Sequence, residues 1–488
     1  MLSEFFIKIP YLLYFIPLIA SLLVNFIDDK RFLETFTYCI LIVLSVLSFE
    51  LVSNISDYSN ILLINSSKHF EIIGCEFKIS SYNSFTITAL LFVNLIGFSN
   101  YIHEIILDQS LSVGYMKNFF SIFLIYIFSL VGISLTNNIL HLYIFMEVQS
   151  FCIYILIMTY KKREFAILSY KYLSNNIFGS ILNMLAIFYI IIYFNTSNMF
   201  SIKQQLMTVD IKDNLFIFLM FILLMGSIVI KFFTSSSSHY FDTDKNDISF
   251  LSISNIFVNN IIGIYLVYNI THFLFNDDAI LGMYGIDKIS LIISSCIVIY
   301  NSVKLFSATH VNTMFDVFTR INLMDFGFIL FVTFLSNKIT DNSKVLLIFM
   351  IDFVSVSMLI YFFSAYISAR YGTNDMSVLS RNRLLSYCFM FIILFKLFLP
   401  LGTSLYINRF LYTHIMKSNI YLGVPFFISK ISLLFLLYRI IVKDEQINYN
   451  DNGTLNKKYI NTLLFSITII FLFVLFFNIL INMFGLSM

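Results

Sequence analysis

The chain alternates between long apolar runs and short polar clusters along almost its entire length. Each apolar run has roughly 18–25 residues, the length that an α-helix needs to cross a hydrocarbon core about 30 Å thick. Clusters of lysine, arginine, aspartate and asparagine mark the loops between the runs. The pattern predicts an all-α polytopic membrane protein of about fourteen transmembrane helices, with spans near residues 10–27, 33–52, 83–107, 117–136, 138–159, 168–195, 213–235, 247–275, 287–309, 317–336, 344–368, 385–406, 420–442 and 459–484.

The composition excludes a soluble globular protein. Of the 488 residues 59% are hydrophobic and 12% are charged, and the mean hydropathy is +0.87, whereas a globular domain has about 25% charged residues. The formal net charge of +2 comes without a basic run, so no nucleic-acid partner is expected. The five cysteines are scattered without CxxC pairs and predict neither a zinc site nor a disulfide framework.

The residue usage also indicates where the protein occurs. The chain has 58 phenylalanines and 30 tyrosines but 4 prolines and no tryptophan. The abundant residue types have A/T-rich codons, which indicates the genome of a host-restricted bacterium or an organelle. We therefore expect a multi-pass protein of the bacterial inner membrane, with the mitochondrial inner membrane as the alternative.

The basic residues predict how the helices are oriented. Basic clusters fall in odd-numbered loops, for example Lys30-Arg31 and 161–163, whereas even-numbered loops have fewer, such as Lys203. The positive-inside rule then places odd loops in the cytoplasm and both ends of the chain on the outer side. The longest early loop, residues 53–82, is predicted to form a small hairpin outside the membrane.

Four charged residues within the spans are candidate functional residues, because a charge inside the bilayer is costly. Glu147 lies deep in the fifth span, Lys171 heads the sixth, Lys231 is near the end of the seventh, and Lys396 is inside the twelfth. A carboxylate and an amine that face each other in a dry bundle can exchange protons, since each strongly shifts the pKa of the other. Alternatively, the three lysines are interfacial residues whose ammonium groups reach the membrane surface.

Three of these residues lie in stretches that resemble a known family. The segment 138–147, Asn-Ile-Leu-His-Leu-Tyr-Ile-Phe-Met-Glu, is similar to the fifth-helix motif of the antiporter-like membrane subunits shared by respiratory complex I and Mrp-type cation/proton antiporters. Lys171-Tyr172 matches the "K-Y" of helix six, and Lys231 matches the lysine of helix seven. The wording of the first motif is most similar to the D-type subunit of the Mrp antiporters, and the resemblance covers about residues 80–440.

The resemblance implies a fold of two inverted five-helix repeats, helices 4–8 and 9–13, with broken helices 7 and 12. The expected breaks fall at 235–238, a run of four serines, and at 399–402, Leu-Pro-Leu-Gly. Freed backbone groups at such breaks are tolerated where they line a polar cavity. The chain then divides into N-terminal helices 1–3 with an external loop (1–110), the first repeat (111–275), the second repeat (276–445) and a C-terminal helix 14 (446–488).

The sequence also departs from the family. The histidine after the helix-seven break falls on Ser238, the helix-eight lysine on the segment Asn259-Asn260, and the helix-twelve lysine on Asn408. Asparagine can orient water through hydrogen bonds, but it does not titrate. A continuous line of titratable residues is therefore interrupted. Lys396 in the twelfth span and Lys430 in the thirteenth could compensate, and Asp325 in the tenth is a third polar point.

These observations predict a membrane subunit of a multi-subunit cation/proton antiporter. Glu147 and Lys231 would form the acid–lysine pair of the first half-channel, with Lys171 tuning it and Lys396 on the exit side. The expected partners are other membrane subunits, the lipid bilayer, protons and a monovalent cation, and no cofactor is expected. Two alternatives stay open: a proton-pumping membrane subunit of NADH–quinone oxidoreductase, and a degenerate paralogue with a structural role only.

Overall fold

The computed structural model describes about two thirds of the chain, in eleven segments and four single positions. The segments are residues 2–53, 71–72, 75–107, 112–159, 163–206, 214–233, 250–275, 286–306, 314–335, 383–397 and 424–442, with the single positions 359, 360, 363 and 367. The chain falls into two compact units, which are described separately. Unit 1 comprises Met1–Ser236 and Ser249–Ile280, and unit 2 comprises Ser237–Ile248 and Leu281–Met488.

Unit 1 is a helical bundle with one small hairpin. Among its described residues the elements are α1 (Leu2–Leu23, followed by a 3₁₀ turn Val24–Phe26), α2 (Lys30–Ser53), β1 (Glu71–Ile72), β2 (Cys75–Glu76), α3 (Ser81–Leu107), α4 (Val113–Leu135), α5 (Ile139–Met158), α6 (Arg163–Phe194), α7 (Met199–Leu206), α8 (Asn214–Ile228, followed by a π-helical turn Val229–Phe233) and α9 (Phe250–Tyr268, followed by a π-helical turn Asn269–Leu274).

Unit 2 contains four further helices in its described residues. They are α10 (Ile286–Phe306), α11 (Met314–Leu335), α12 (Arg383–Leu397) and α13 (Val424–Val442). Helices α10 and α11 pack against each other, and α13 packs against both α10 and α12. Of the predicted spans, the eleventh is described at four positions only, and the fourteenth and both expected helix breaks lie outside the described residues.

The helices begin and end at residues with clear backbone roles. Asn138 is the N-cap of α5, where its side-chain oxygen accepts hydrogen bonds from the backbone N–H groups of Leu140 and His141, which otherwise have no partner within the helix. Helix α6 ends at Phe194, and the following Asn195 has a φ of 51°. Asparagine tolerates this left-handed conformation better than most residues, so the chain can turn directly into the loop before α7.

The hairpin of residues 71–76 agrees with the hairpin predicted in the loop between the second and third spans. Strands β1 and β2 pair antiparallel, with Glu71 opposite Glu76 and Ile72 opposite Cys75. Directly after β2, Phe77 forms an isolated antiparallel bridge with Thr136. The hairpin loop is therefore attached to the loop between α4 and α5.

Odd-numbered and even-numbered loops gather at separate places in unit 1. Contacts join the second, fourth, sixth and eighth loops: Phe77 bridges Thr136, Asn138 bridges Asn198, and α7 packs against the π-helical turn Asn269–Leu274. Other contacts join the first, third and fifth loops, since Lys117 near the start of α4 pairs with Asp28 and the Tyr115 hydroxyl donates to the carbonyl of Thr159. This grouping is what successive helices of alternating direction require.

Five described helical segments are long and apolar enough to cross a membrane: Ile9–Phe26, Lys30–Ser53, Val113–Leu135, Ile139–Met158 and Ser169–Phe194. Four further apolar helical segments are shorter: Tyr82–Phe98, Phe216–Phe232, Ser290–Phe306 and Phe427–Leu436. The sequence did not predict α7, an eight-residue helix between the sixth and seventh spans. Its mean hydropathy is low because Lys203, Gln204 and Gln205 interrupt the apolar residues, so it carries no signal of a span.

Candidate functional site

The side chains of Glu147 and Lys231 form an ion pair inside unit 1. Lys231 Nζ lies 2.5 Å from Glu147 Oε1. The lysine side chain is completely inaccessible, whereas 34% of the glutamate side chain is accessible. Taking a charge out of water costs several kcal/mol, and a close counter-charge offsets that cost only when the geometry is good. The buried ammonium group therefore depends on this carboxylate.

A π-helical turn positions Lys231. The α-helical hydrogen-bonding pattern of α8 ends at Ile228, and residues Val229–Phe233 wind as a π-helix. The wider turn changes the direction of side chains relative to a continuous α-helix, and such turns are frequent at functional sites. In unit 1 the turn places Lys231 against α6 and directs its ammonium group to α5.

Gly179 of α6 makes room for the aliphatic part of Lys231. A Cβ atom at position 179 would lie 2.6 Å from Lys231 Cγ and 3.2 Å from the carbonyl oxygen of Ser227. Carbon atoms in contact normally lie about 3.5–4.0 Å apart. Any larger residue at position 179 would therefore displace the lysine or separate α6 from α8.

The next residue of α6 binds the carboxylate. The Ser180 hydroxyl lies 2.9 Å from Glu147 Oε2 and 2.8 Å from the carbonyl oxygen of Asn176. Since Lys231 contacts Oε1, both oxygens of Glu147 have a partner. A carboxylate held in this way keeps a fixed orientation, which a proton exchange with the lysine requires.

A cavity of about 500 Å³ lies beside the pair, and Glu147 and Ser180 are part of its wall. The other wall residues come from α4, α5 and α6 and are mainly apolar, for example Ile125, Phe151 and Ile177. Phe151 and Ile177 are exposed, so this cavity opens at the outside of the α4–α5–α6 face. Glu147, and not Lys231, thus borders this cavity.

Buried amide side chains extend from the pair towards α9. Gln149 of α5 donates from Nε2 to Asn259 Oδ1 at 2.6 Å, and both residues are buried. The buried Tyr172 side chain lies close to Asn259, Asn176 and Ser150. Asn259 lies in the segment where the family resemblance would have placed a lysine, and as an amide it does not bring a second ammonium group to the site.

The predicted site residue Lys171 does not join the pair. Lys171 is exposed on α6, nine positions before Ser180 and therefore about 13 Å away along the helix axis. This exposure favours the alternative that Lys171 is an interfacial lysine. Lys396 belongs to α12 of unit 2, and its side chain lies outside the described residues.

Sequence reasoning missed Gly179, Ser180 and Gln149. A signal was present, because Gly179-Ser180 is a pair of small residues in the middle of an apolar span, and small residues let membrane helices approach closely. Which helix approaches there cannot be read from the sequence. Among the described residues, no group of three histidine, cysteine, aspartate or glutamate side chains could hold a metal ion.

Comparison with solved structures shows the fold. The chain is similar to a chain of the membrane-bound sulfane sulfur reductase, an archaeal respiratory membrane complex, with a TM-score of 0.74 and 14% sequence identity over 97% of this chain and 96% of that chain. No protein-family model and no curated protein matches the sequence. The shared fold and the five long apolar helices make this chain a multi-pass membrane protein.

Proposed function

We propose that this chain is a membrane subunit of a multi-subunit cation/proton antiporter and that it moves protons through the Glu147–Lys231 pair. The observation that carries the proposal is the ion pair itself: a fully buried ammonium group held 2.5 Å from a partly accessible carboxylate. Charged residues inside the membrane are costly and therefore typical of ion and proton pathways.

The pair works as a proton store with one accessible end. Protonation of Glu147 removes the counter-charge of Lys231, and a buried ammonium group without a counter-charge gives up its proton readily. Transfer of the proton from Glu147 to the neutral lysine then restores the carboxylate and the charged lysine. Each proton that enters or leaves through the accessible carboxylate therefore changes the charge of the buried amine.

A second candidate is a proton-translocating membrane subunit of a respiratory complex, such as an NADH–quinone oxidoreductase. The observation that favours it is the fold, which the chain shares with a subunit of a respiratory membrane complex over nearly its whole length. In both candidates the chain acts together with other membrane subunits. The two differ in the driving force, which is a cation gradient in one and an electron donor in the other.

Everted membrane vesicles that contain the assembled complex separate these functions. Proton movement is followed with a pH-sensitive dye after addition of either Na⁺ or NADH. We expect Glu147→Gln to reduce the initial rate at least tenfold under whichever driving force the wild type uses. A wild-type rate in an assembled Glu147→Gln complex would refute the proposal, and no proton movement in the wild type under either condition would support the structural paralogue.

The surface pair Asp28–Lys117 provides a matched control. Lys117 Nζ lies 2.6 Å from Asp28 Oδ1, nearly the same separation as in the buried pair, but 93% of the Asp28 side chain is accessible. Because exposed ion pairs contribute little, Asp28→Asn should leave both assembly and transport unchanged. Both variants replace a carboxylate that pairs with a lysine by an amide. They differ in the burial of the ion pair that is lost.

A further inference from the structure

We propose that Lys78 is the group that exchanges protons with the outer solution, at the end of unit 1 where the even-numbered loops meet. The inference rests on the proposed proton transport and on the predicted orientation of the helices. Lys78 follows β2, outside the predicted spans, and Lys78 Nζ lies 3.5 Å from Asn269 Oδ1 at the start of the π-helical turn after α9.

The backbone around Lys78 holds its side chain in this place. The Lys78 N–H donates to the carbonyl of Leu135, and Asn83 Nδ2 donates both to the Lys78 carbonyl and to the carbonyl of Ser134. Lys78 is thereby fixed between the end of α4 and the start of α3. A lysine on a flexible loop would instead extend into water.

Polar groups continue inwards from Asn269. Tyr265, one turn earlier on α9, is hydrogen-bonded to Asn269, and its hydroxyl donates to the carbonyl of Ser134 at 2.9 Å. Tyr82 is also buried, its ring lies against that of Tyr268 with 3.9 Å between centroids and a tilt of 36° between the ring planes, and its hydroxyl has no hydrogen-bond partner among the described residues.

The electrostatic surroundings fit a proton-exchange role. Burial, and secondarily the repulsion of Lys203 on α7, lowers the pKa of Lys78 from 10.5 to about 7. The titratable side chains of the surrounding described elements include Lys203 and the tyrosines Tyr82, Tyr265 and Tyr268. An amine that titrates near neutral pH can release a proton to water, with the ammonium becoming a neutral amine, and can take a proton up again from water.

The first test measures Lys78 in the wild-type complex. Trace labelling with acetic anhydride at a series of pH values, read by mass spectrometry of the Lys78 peptide, reports the fraction of neutral amine, and the same peptide in denatured protein is the reference. We expect a midpoint near pH 7 in the native complex, and Lys203→Gln should move it to higher pH. A native midpoint that equals the denatured one would overturn the proposal.

The second test separates proton exchange from a role of positive charge. Lys78→Arg keeps the charge but cannot release a proton, so it should reduce the transport rate at least tenfold, whereas Lys78→His, which titrates near neutral pH, should retain a substantial part of it. Wild-type transport by Lys78→Arg would refute the inference while leaving the Glu147–Lys231 proposal intact. If the Lys78 variants do not assemble, the labelling of the wild type decides.

The failure of the proposed function would look different. Glu147→Gln would then transport normally, and the Lys78 labelling midpoint would be unaffected by that result. A low midpoint together with normal transport in Glu147→Gln would assign the proton exchange to Lys78 and remove the buried pair from the pathway.

Discussion

Gly179→Ala is the substitution that most directly tests whether transport depends on the position of Lys231. The added methyl group would lie 2.6 Å from Lys231 Cγ, 3.2 Å from the Ser227 carbonyl oxygen and 3.3 Å from the Lys231 backbone nitrogen. Contact between carbons requires about 3.5 Å or more, so the lysine and α6 must separate by about 1 Å. The 2.5 Å ion pair would lengthen by a similar amount.

The expected effect on transport is larger than the effect on stability. Overpacking a buried site costs about 1–3 kcal/mol, but replacing glycine by alanine within a helix returns about 0.5–1 kcal/mol. The complex should therefore assemble. A displacement of about 1 Å in a group that must meet its partner can reduce a rate by about 100-fold, and we expect a reduction of at least tenfold in the initial rate of dye-detected proton movement in vesicles.

Two glycines serve as controls for this experiment. A Cβ at Gly226, in α8 five residues before Lys231, would meet no atom within 4 Å, so Gly226→Ala should leave transport unchanged. A Cβ at Gly327 would meet Val298 Cγ2 at 2.7 Å and the Ser294 carbonyl oxygen at 3.2 Å, nearly the same crowding in unit 2. Gly327→Ala should lower the melting temperature without the same loss of transport per assembled complex. Wild-type transport by Gly179→Ala would show that transport does not depend on this lysine position.

Three further predictions concern the pair and its surroundings. Glu147→Gln should destabilise the complex by about 3–5 kcal/mol, because it leaves Lys231 buried without a counter-charge, and Glu147→Gln combined with Lys231→Met should recover most of this loss in a thermal unfolding assay; equal losses would contradict it. Gln149→Leu should cost about 1–3 kcal/mol in the same assay, since Asn259 Oδ1 loses its 2.6 Å donor, and an unchanged melting temperature would refute this. Lys117, by hydrogen bonding and by its charge, lowers the pKa of Asp28. The contact between the two side chains should therefore persist at pH values where a free aspartate is already protonated, and it should weaken only as the pH falls through the lowered pKa. Amide hydrogen exchange in residues 24–30, measured against pH in the wild type and in Lys117→Gln, tests this.

The helical architecture could be predicted because its signal is local. Twelve of the fourteen predicted spans overlap helices α1–α6 and α8–α13 of the structure. The largest differences are at the first span, where α1 begins eight residues earlier, and at the twelfth, where α12 is described to Leu397, nine residues before the predicted end. Long apolar runs can satisfy their backbone only as helices inside a membrane, so length and hydropathy are sufficient. The hairpin at 71–76 was predicted for a similar reason, from a stretch too polar to form a span.

The parts that the sequence did not indicate depend on contacts between distant segments. Nothing local distinguishes Gly179 from Gly226, yet one contacts Lys231 and the other has open space around it. Likewise, Lys78 was one of several loop lysines until the structure placed Asn269, 191 residues away, beside it. The π-helical winding of Val229–Phe233 also has no sequence signature that would separate it from an ordinary α-helical end. The inverted repeats and the domain division stay predictions.

The unequal accessibility of the pair determines how a proton must travel within it. The Lys231 side chain has no accessible surface, so it cannot exchange directly with water or with a group outside unit 1. Glu147 is accessible through the cavity of α4, α5 and α6 and contacts the lysine at the same time. On the other side of the pair, the buried amides Gln149 and Asn259 can orient water but cannot hold a proton. If the pair is used, each proton must therefore pass Glu147 to reach Lys231.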